Sequence, residues 1–471
     1  MRRLARFEVQ PNSLKVMLYS NYSMDQQDFA LATDLYELTM AAAYFDNKQS
    51  TINATFELFV RDYPKNRSYL VAAGLQQAVE YLMQMYFTDT QITFLKEHPT
   101  FASVSDDFFD YLKEFKFSGD LWAMPEGTIF FPNEPILRIT APIIEAQVVE
   151  TYLLSLINFE TLIATKSSRI VQSARGRGVV EFGARRAHGP ESALLAARAS
   201  YIGGCIGTSN VLAAFKFGIP MYGTMAHSFI MSYDKEEEAF RSFCRVFPKN
   251  PALLLDTYDT IVAARTAVAL GVKPSLVRLD SGNRSVLSRK VRRILDDAGM
   301  QDTKIFVSGD LNEYVIDRLT AQGQPIDYFG VGTELVTSRD DPALSAIYKL
   351  VSINRGRNTI FRVKTSTGKQ TVPGAKQVYR RMTKHGLLRK DIIALADEIP
   401  PKNARPLLMN VIVGGRLRET LPSLEQVRET AENEMKTLPK KFRRLRGSAK
   451  PPVSLSPRLK RLTTTMWKTV R

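Results

Sequence analysis

Four stretches of this chain carry the side chains by which phosphates, sugars and planar anions are held. In "VRLDSGN", Arg278 stands two residues before Asp280, a rigid planar cation beside a carboxylate, and Ser281 and Gly282 follow as further phosphate or hydroxyl contacts. A structural Arg–Asp pair is the plainer alternative. In "VSGDLNE", Gly309 permits close backbone approach, and Asp310 either caps the next helix or accepts from a sugar hydroxyl. In "YFGVGTELV", Gly332 and Thr333 fall where a strand turns into a helix, so free backbone N–H groups and the Thr333 hydroxyl suit a phosphate, although such a turn also occurs as plain geometry. "VVEFGARRAHGPES" sets Arg185 beside Arg186 among glycines, a pairing suited to a multiply charged phosphate. Adjacent strand residues face opposite ways, so one of the two is expected to point inward. A fifth stretch, "MYGTMAHSFI", holds one of only four histidines, His227, among small residues between apolar flanks, a setting that usually means a satisfied core or surface residue.

These stretches need a scaffold that gathers them. From about residue 150 a pattern recurs: a short β-branched or aliphatic run, a small or acidic residue, then a helical period. "PALLLDTYDT", "PSLVRLDSGN", "TKIFVSGDLNE" and "IDYFGVGTEL" are four such units, with strand-end residues Asp256, Asp280, Asp310 and Gly332 spaced 22 to 30 residues apart. That spacing holds one strand, one helix and two short loops, so the strands should run parallel and deliver all four polar ends to one carboxyl edge. The first 140 residues read differently. "LYELTMAAAYF" and "GLQQAVEYLMQMYF" have helical spacing, while "ATFELFVRDYP" and "EGTIFFPNEPILRIT" read as strands. Past residue 350, "TIFRVKTS" and "NVIVGGRL" look like hairpin material returning to them. The expected fold class is α/β: an irregular α/β barrel of parallel strands plus a mixed α+β domain built from the N-terminal region and part of the C-terminal region.

With 471 residues, 44% hydrophobic and 24% charged, the chain can bury a large core. Its two cysteines, Cys205 and Cys244, belong to no CxxC and no Cys/His cluster, which excludes a disulfide framework and a structural zinc site and points to a reducing, cytoplasmic setting. No apolar run approaches the roughly 20 residues of a membrane-spanning helix, so no membrane partner is expected. The start lacks the apolar centre of a secretory signal and reads as a weak transit-like or start-codon extension. The net charge of +16 suggests nucleic acid until it is located: residues 436–471 hold twelve Lys/Arg and no acid, leaving about +4 elsewhere. That tail mixes Pro, Ser and cations without a sustained helical period. It reads as a mobile or surface-wrapping end, either solubilising or in contact with an acidic partner or nucleic acid.

In chain order, "TDLYELTMAAAYF", "EFGARRAHGPES", "GTSNVLAAFKFGIPMYGTMAHSF", "LLLDTYDT", "VRLDSGN", "VSGDLNE" and "FGVGTELVT" resemble the nicotinate phosphoribosyltransferases. The resemblance runs from about Asp34 to "AIYKLV" near Leu350 and more loosely to about residue 425, with the end after 436 outside it. The chain is expected to divide into an N-terminal extension (1–27), an α+β domain (28–145), a barrel bearing the active-site loops (146–350), a return to the α+β domain with terminal helices (351–435) and the basic tail (436–471). The resemblance implies a homodimer with shared active sites that converts nicotinate and phosphoribosyl pyrophosphate to nicotinate mononucleotide and pyrophosphate. Mg²⁺ would be held mostly by ligand phosphates and waters rather than by protein ligands, and ATP hydrolysis would drive the equilibrium.

Carried over by motif, His227 would be transiently phosphorylated by ATP, which agrees with the nucleophilicity of neutral imidazole near pH 7. Tyr36 from the neighbouring subunit and Phe182 would clamp the pyridine ring, while Thr224 and Arg278 would contact the nicotinate, the arginine being the partner for its carboxylate. Arg185, Asp280, Gly309, Gly332 and Thr333 would line the phosphoribosyl site, with Asp280 catalytic. The related nicotinamide enzyme has an aspartate where this chain has Ser209, and a carboxylate there would repel nicotinate. A nicotinamide enzyme and a non-enzymatic nucleic-acid-binding protein acting through the tail are the alternatives.

Overall fold

The structure, a computed structural model, describes residues 24–271, 273–356 and 358–469. The start of the chain, where the transit-like extension is expected, lies outside the described residues up to residue 23.

The early helical signals become helices Leu35–Asp46 (α1) and Leu75–Gln84, and the apolar runs become strands Asn53–Val60, Asp120–Ala123 and Pro135–Pro142. These strands share a seven-stranded sheet with Ala346–Arg355, Asn358–Phe361, Met409–Val413 and Arg416–Leu417. All the pairings within it are antiparallel, and Phe56, Leu58, Leu121, Ile139, Tyr348 and Ile412 put its apolar side chains into one core. The expected return of C-terminal strands to the N-terminal ones is therefore present, and it begins at Ala346.

Helix Glu150–Ser173 (α2) packs against strand Ala346–Arg355 and against the barrel helices Pro190–Ile202 and Glu313–Ala321. Together with the helical turn before it, Ile143–Ser173 is long and apolar enough to cross a membrane by length and composition. Yet 61% of that window is buried inside the protein, and the helix carries the buried charges Lys166 and Arg169, so it serves as a core helix.

Six short strands form the second sheet: Gly178–Glu181 (β1), Gly207–Thr208 (β2), Ala252–Leu254 (β3), Leu276–Leu279 (β4), Lys304–Val307 (β5) and Tyr328–Val331 (β6). Their order is β2-β1-β6-β5-β4-β3 and every pair is parallel. Ala252 and Leu276 near one edge and Ile206 and Met221 near the other line the same open cavity of 490 Å³, so the sheet curls into a barrel. Asp256, Asp280, Asp310 and Gly332 all follow carboxyl ends of these strands, as their spacing predicts. Helices Thr260–Ala269 (α3), Arg284–Asp297 (α4) and Glu313–Ala321 (α5) start just beyond those ends, capped by the side chains of Asp259, Asn283 and Asn312. Asn312 thus does the capping for which Asp310 was a candidate.

Of the two forms that their composition suggests, residues 436–469 take the surface-wrapping one rather than the mobile one. Val453–Leu455 adds a parallel strand to Leu388–Leu395 in a four-stranded sheet, and helix Pro457–Thr469 (α6) packs on that strand with Leu459 and Thr463 buried. Ser456 starts the helix, its Oγ accepting from Leu459 N at 3.1 Å. Phe442 is buried, and Arg169 of α2 donates to the Leu445 carbonyl at 2.8 Å. The inward face of α6, Leu459, Leu462, Thr463 and Met466, has helical spacing, but a threonine within it interrupts the apolar signal.

Candidate active site

Arg278, on β4, is the hub of the carboxyl rim. Its Nε donates to Ser308 Oγ at 2.9 Å, Nη1 to Thr224 Oγ1 at 3.0 Å and Nη2 to Asp280 Oδ1 at 2.6 Å. These partners follow β5, precede the helix of His227, and follow β4, so one guanidinium fixes three loops. Burial pushes the Asp280 carboxyl upward, but the Ser308 hydroxyl and the Arg278 charge outweigh it and hold the group below the usual carboxylate range. Its second oxygen lies 4.0 Å from His227 Nε2. The His227 side chain is 41% exposed, and its Nδ1 is 3.1 Å from Thr257 Oγ1. Both the pair formed by Arg278 with Asp280 and the imidazole beside it therefore sit on one rim.

A cavity of 350 Å³ opens at this rim, lined by Arg185, Arg186, Arg278, Asp280 and Ser281 and by the turns Gly309–Asp310 and Gly332–Thr333. Both neighbouring arginines line it. The expectation that only one faces inward fails because β1 ends at Glu181, and Ala184–Arg186 is a 3₁₀ turn rather than strand. Gly309 has φ +79°, and a Cβ there would stand 2.0 Å from the Asp280 carbonyl oxygen, so only glycine lets the two loops touch. Arg284 reinforces that contact by donating to the Ser308 carbonyl at 3.0 Å and to the Gly309 carbonyl. Gly282, at φ +73°, turns the chain from Ser281 into α4.

Several residues of the rim carry no sequence signal of their own. Arg339 lines the cavity from a loop anchored underneath, where buried Lys166 pairs with Glu313 at 2.6 Å and Asp340 at 2.8 Å, and Arg67 donates to Ser338 at 2.7 Å. Asp256 accepts from Asp280 N at 3.1 Å and Ser281 Oγ at 2.5 Å. Asp256 was visible as a strand-end acid, whereas Ser308, Thr257, Arg284 and Arg339 depend on loop contacts that no spacing encodes.

On the barrel side, Phe182 forms a wall common to both cavities. It stacks on Phe306 at 5.2 Å between ring centroids, with the Arg278 guanidinium 5.6 Å from its ring centre. Thr224 lines the 490 Å³ cavity. Ser209 follows β2, half-buried, with its N–H on the Glu181 carbonyl at 2.9 Å, and lines neither cavity. Tyr36, at the start of α1 and 47% exposed, also lines neither, so a single chain does not bring it to Phe182. Burial and the neighbouring Glu150 and Glu37 push its hydroxyl up to about 12. No cluster of three or more His, Cys, Asp or Glu suited to a metal exists among the described residues.

A parallel barrel whose carboxyl edge carries a cationic cavity closed by glycine turns, beside a separate antiparallel sheet, belongs to the α/β enzymes that act on phosphorylated ligands. Residues 31–158 match the nicotinate phosphoribosyltransferase (NAPRTase) N-terminal domain, 163–340 the quinolinate phosphoribosyl transferase C-terminal domain, and 399–463 the nicotinate phosphoribosyltransferase C-terminal domain. The chain belongs to the nicotinate phosphoribosyltransferase family. It is 44% identical over 438 residues to nicotinate phosphoribosyltransferase pncB2 of Mycobacterium tuberculosis, covering 91% of this chain and 92% of the relative. With nicotinate phosphoribosyltransferase of Bacillus subtilis it shares 41% identity over 387 residues, 80% of this chain and 78% of the relative. The crystal structure of human nicotinic acid phosphoribosyltransferase superposes with a TM-score of 0.81 at 28% identity, covering 92% of this chain and 99% of that one. The third domain match corrects the expectation that the chain after residue 436 stands outside the family.

Proposed function

We propose that the protein transfers the phosphoribosyl group of phosphoribosyl pyrophosphate to nicotinate, giving nicotinate mononucleotide and pyrophosphate in NAD biosynthesis. The observation that carries this reading is the position of Arg278, between an aromatic wall and a phosphate-sized cationic cavity. Its guanidinium, with Thr224, receives the nicotinate carboxylate while the pyridine ring lies on Phe182. Arg185, Arg186, the Gly309 and Gly332 turns and Thr333 hold the phosphates. The pyridine nitrogen attacks C1 of the ribose as the bond to pyrophosphate breaks, so no general base is required. Ionised Asp280 faces the positive charge that develops on the sugar.

Mg²⁺ fits the carboxyl edge. Asp256 Oδ1 is buried without a hydrogen-bond partner, and Asp280 stands beside it, its N–H donating to the other oxygen of Asp256 at 3.1 Å, so two carboxylates are at hand and the remaining positions would fall to ligand phosphates and waters. When bound among ligand phosphates and waters, the ion would offset the charge of the departing pyrophosphate. ATP is proposed as co-substrate. With Nδ1–H donated to Thr257, Nε2 of His227 presents its lone pair, attacks the γ-phosphorus and releases ADP, and later hydrolysis of the N–P bond restores the imidazole. His227→Ala is expected to abolish acid-labile label from γ-labelled ATP and to lower the ATP-stimulated rate; undiminished labelling would refute this role.

A homodimer is proposed because Tyr36 needs a second chain to reach Phe182. Exposed Val211, Leu212 and Phe215 beside Ser209 supply an apolar surface for that partner. Neutral Ser209 favours nicotinate over nicotinamide, and competition between the two at equal concentration tests it. Both cysteines are buried and unbridged, which suits the cytoplasm. The deciding experiment incubates pure protein with nicotinate, phosphoribosyl pyrophosphate and Mg²⁺, with and without ATP. Mononucleotide is expected in both cases, more of it with ATP, and its absence from both ends the proposal.

A further inference from the structure

On the outer side of the barrel, α3 and α4 pack against each other and leave between them a cleft of 500 Å³. Arg265 enters it from α3, and Arg289, Lys290 and Arg293 enter it from α4. None of the four belongs to an ion pair or a side-chain hydrogen bond among the described residues, whereas Arg292 on the same helix pairs with Asp296 at 2.8 Å. Arg289 and Arg293 are four residues apart and Lys290 and Arg293 three, so like charges are stacked on one helical face. An ordinary solvated face would spread such charges and alternate them with acids. Here they rim a concavity whose floor includes the half-buried side chains of Ile261 and Ile294.

We infer that this cleft binds a nucleoside polyphosphate, its phosphates among the four cations and its base on the apolar floor. The place is distinct from the rim cavity, with which it shares no lining residue. It is nevertheless connected to the rim through both helices. Helix α3 starts three residues after Thr257, the hydroxyl beside His227 Nδ1, and α4 starts with Arg284, which holds the Gly309 and Ser308 carbonyls. A ligand that ties α3 to α4 therefore bears on the imidazole and on the phosphate turn without entering the cavity.

Calorimetry on the full chain tests this, with a non-hydrolysable ATP analogue and with inorganic tripolyphosphate as probes and saturating inorganic pyrophosphate added to occupy the rim cavity. The nucleotide is expected to bind in the presence of pyrophosphate, more tightly than tripolyphosphate. Its affinity should fall at least about tenfold in the Arg289→Glu/Arg293→Glu double variant and be largely kept in Arg289→Lys/Arg293→Lys. Both altered residues lie on the exposed surface, so melting profiles should not change, and turnover without nucleotide should equal that of the parent. Complete loss of nucleotide binding under pyrophosphate, or affinity indifferent to charge reversal, overturns the assignment. Equal affinity for tripolyphosphate overturns the nucleoside part, and a change of oligomeric state in the double variant would make the face a subunit contact instead. Binding is read here without any pyridine substrate, so its failure is separate from failure of the proposed transfer reaction.

Discussion

Replacing Arg278 by alanine removes four hydrogen bonds, to Ser308, Thr224, Asp280 and the Met225 carbonyl, together with the cation at the Phe182 face. Two consequences follow, of different size. A carboxylate bound by a charged partner is worth about 1.5–3 kcal/mol, which corresponds to roughly a 10- to 150-fold loss in kcat/KM for nicotinate. Separately, the side chains of Arg278 and Asp280 are only 14% and 24% exposed, so breaking the pair should cost about 1–3 kcal/mol of stability. Steady-state kinetics with each substrate varied in turn distinguish recognition from general damage. The nicotinate KM should rise by that factor while the KM for phosphoribosyl pyrophosphate moves only a few-fold, since Arg185, Arg186 and the glycine turns remain. A lysine at 278 keeps the charge but cannot reach three partners, so it should recover only part of the loss. An unchanged nicotinate KM in a folded Arg278→Ala protein, or equal damage to both substrates, would refute the assignment of the carboxylate to this guanidinium.

Gly309→Ala should cost about 1–3 kcal/mol through its left-handed backbone and the clash with the Asp280 carbonyl, seen as a lower melting temperature and a raised KM for phosphoribosyl pyrophosphate. Burial raises the Glu37 carboxyl to about 7, against the hydrogen bonds from Thr33 and Thr151 that pull it down. The folded state therefore binds this proton more tightly than the unfolded state, and stability falls by roughly 3 kcal/mol as pH rises from about 4.5 to about 7. Glu37→Gln should remove that slope, so its melting temperature should gain on the parent between pH 5 and 7; an identical pH profile would contradict the raised value. For the proposed shared site, Tyr36→Ala and Arg278→Ala are each expected to keep no more than about a tenth of the parental rate when nicotinate is well below its KM, the condition for the assay that follows. Mixing and reassociating them should restore about a quarter of parental activity, because half the dimers are mixed and one of their two sites is intact. No recovery in demonstrably mixed dimers would place Tyr36 outside the partner's site.

The parallel part of the fold and its edge could be read from the chain because both are local in sequence. Each strand ends in a polar residue, and the helix that follows fixes the spacing to the next, so Asp256, Asp280, Asp310 and Gly332 announced a common rim. The contacts that make the rim rigid are not local. Lys166 reaches Glu313 and Asp340 across 147 and 174 residues, and nothing in "IATKSSRI" marks its lysine as buried. The Arg185–Arg186 turn was misassigned because a tight 3₁₀ turn after a strand resembles two more residues of that strand. Whether the tail is mobile or wraps the surface, and that it holds a helix, could not be read from the chain for a similar reason, since its cations dominate the composition while the few residues that bury it, Phe442, Leu459 and Thr463, are sparse.

The antiparallel sheet joins strands that bracket the barrel, and this has a consequence during synthesis. Strand Asn53–Val60 pairs on one side with Pro135–Pro142, which emerges soon after it, and on the other with Ala346–Arg355, which the ribosome delivers some 290 residues later. Until then its outer hydrogen-bonding edge has no neighbour from this sheet, and the nascent chain carries an unpaired, apolar strand through the whole period in which the barrel is being made. Chaperone dependence, and losses by aggregation on overexpression, should therefore trace to this waiting edge rather than to the barrel.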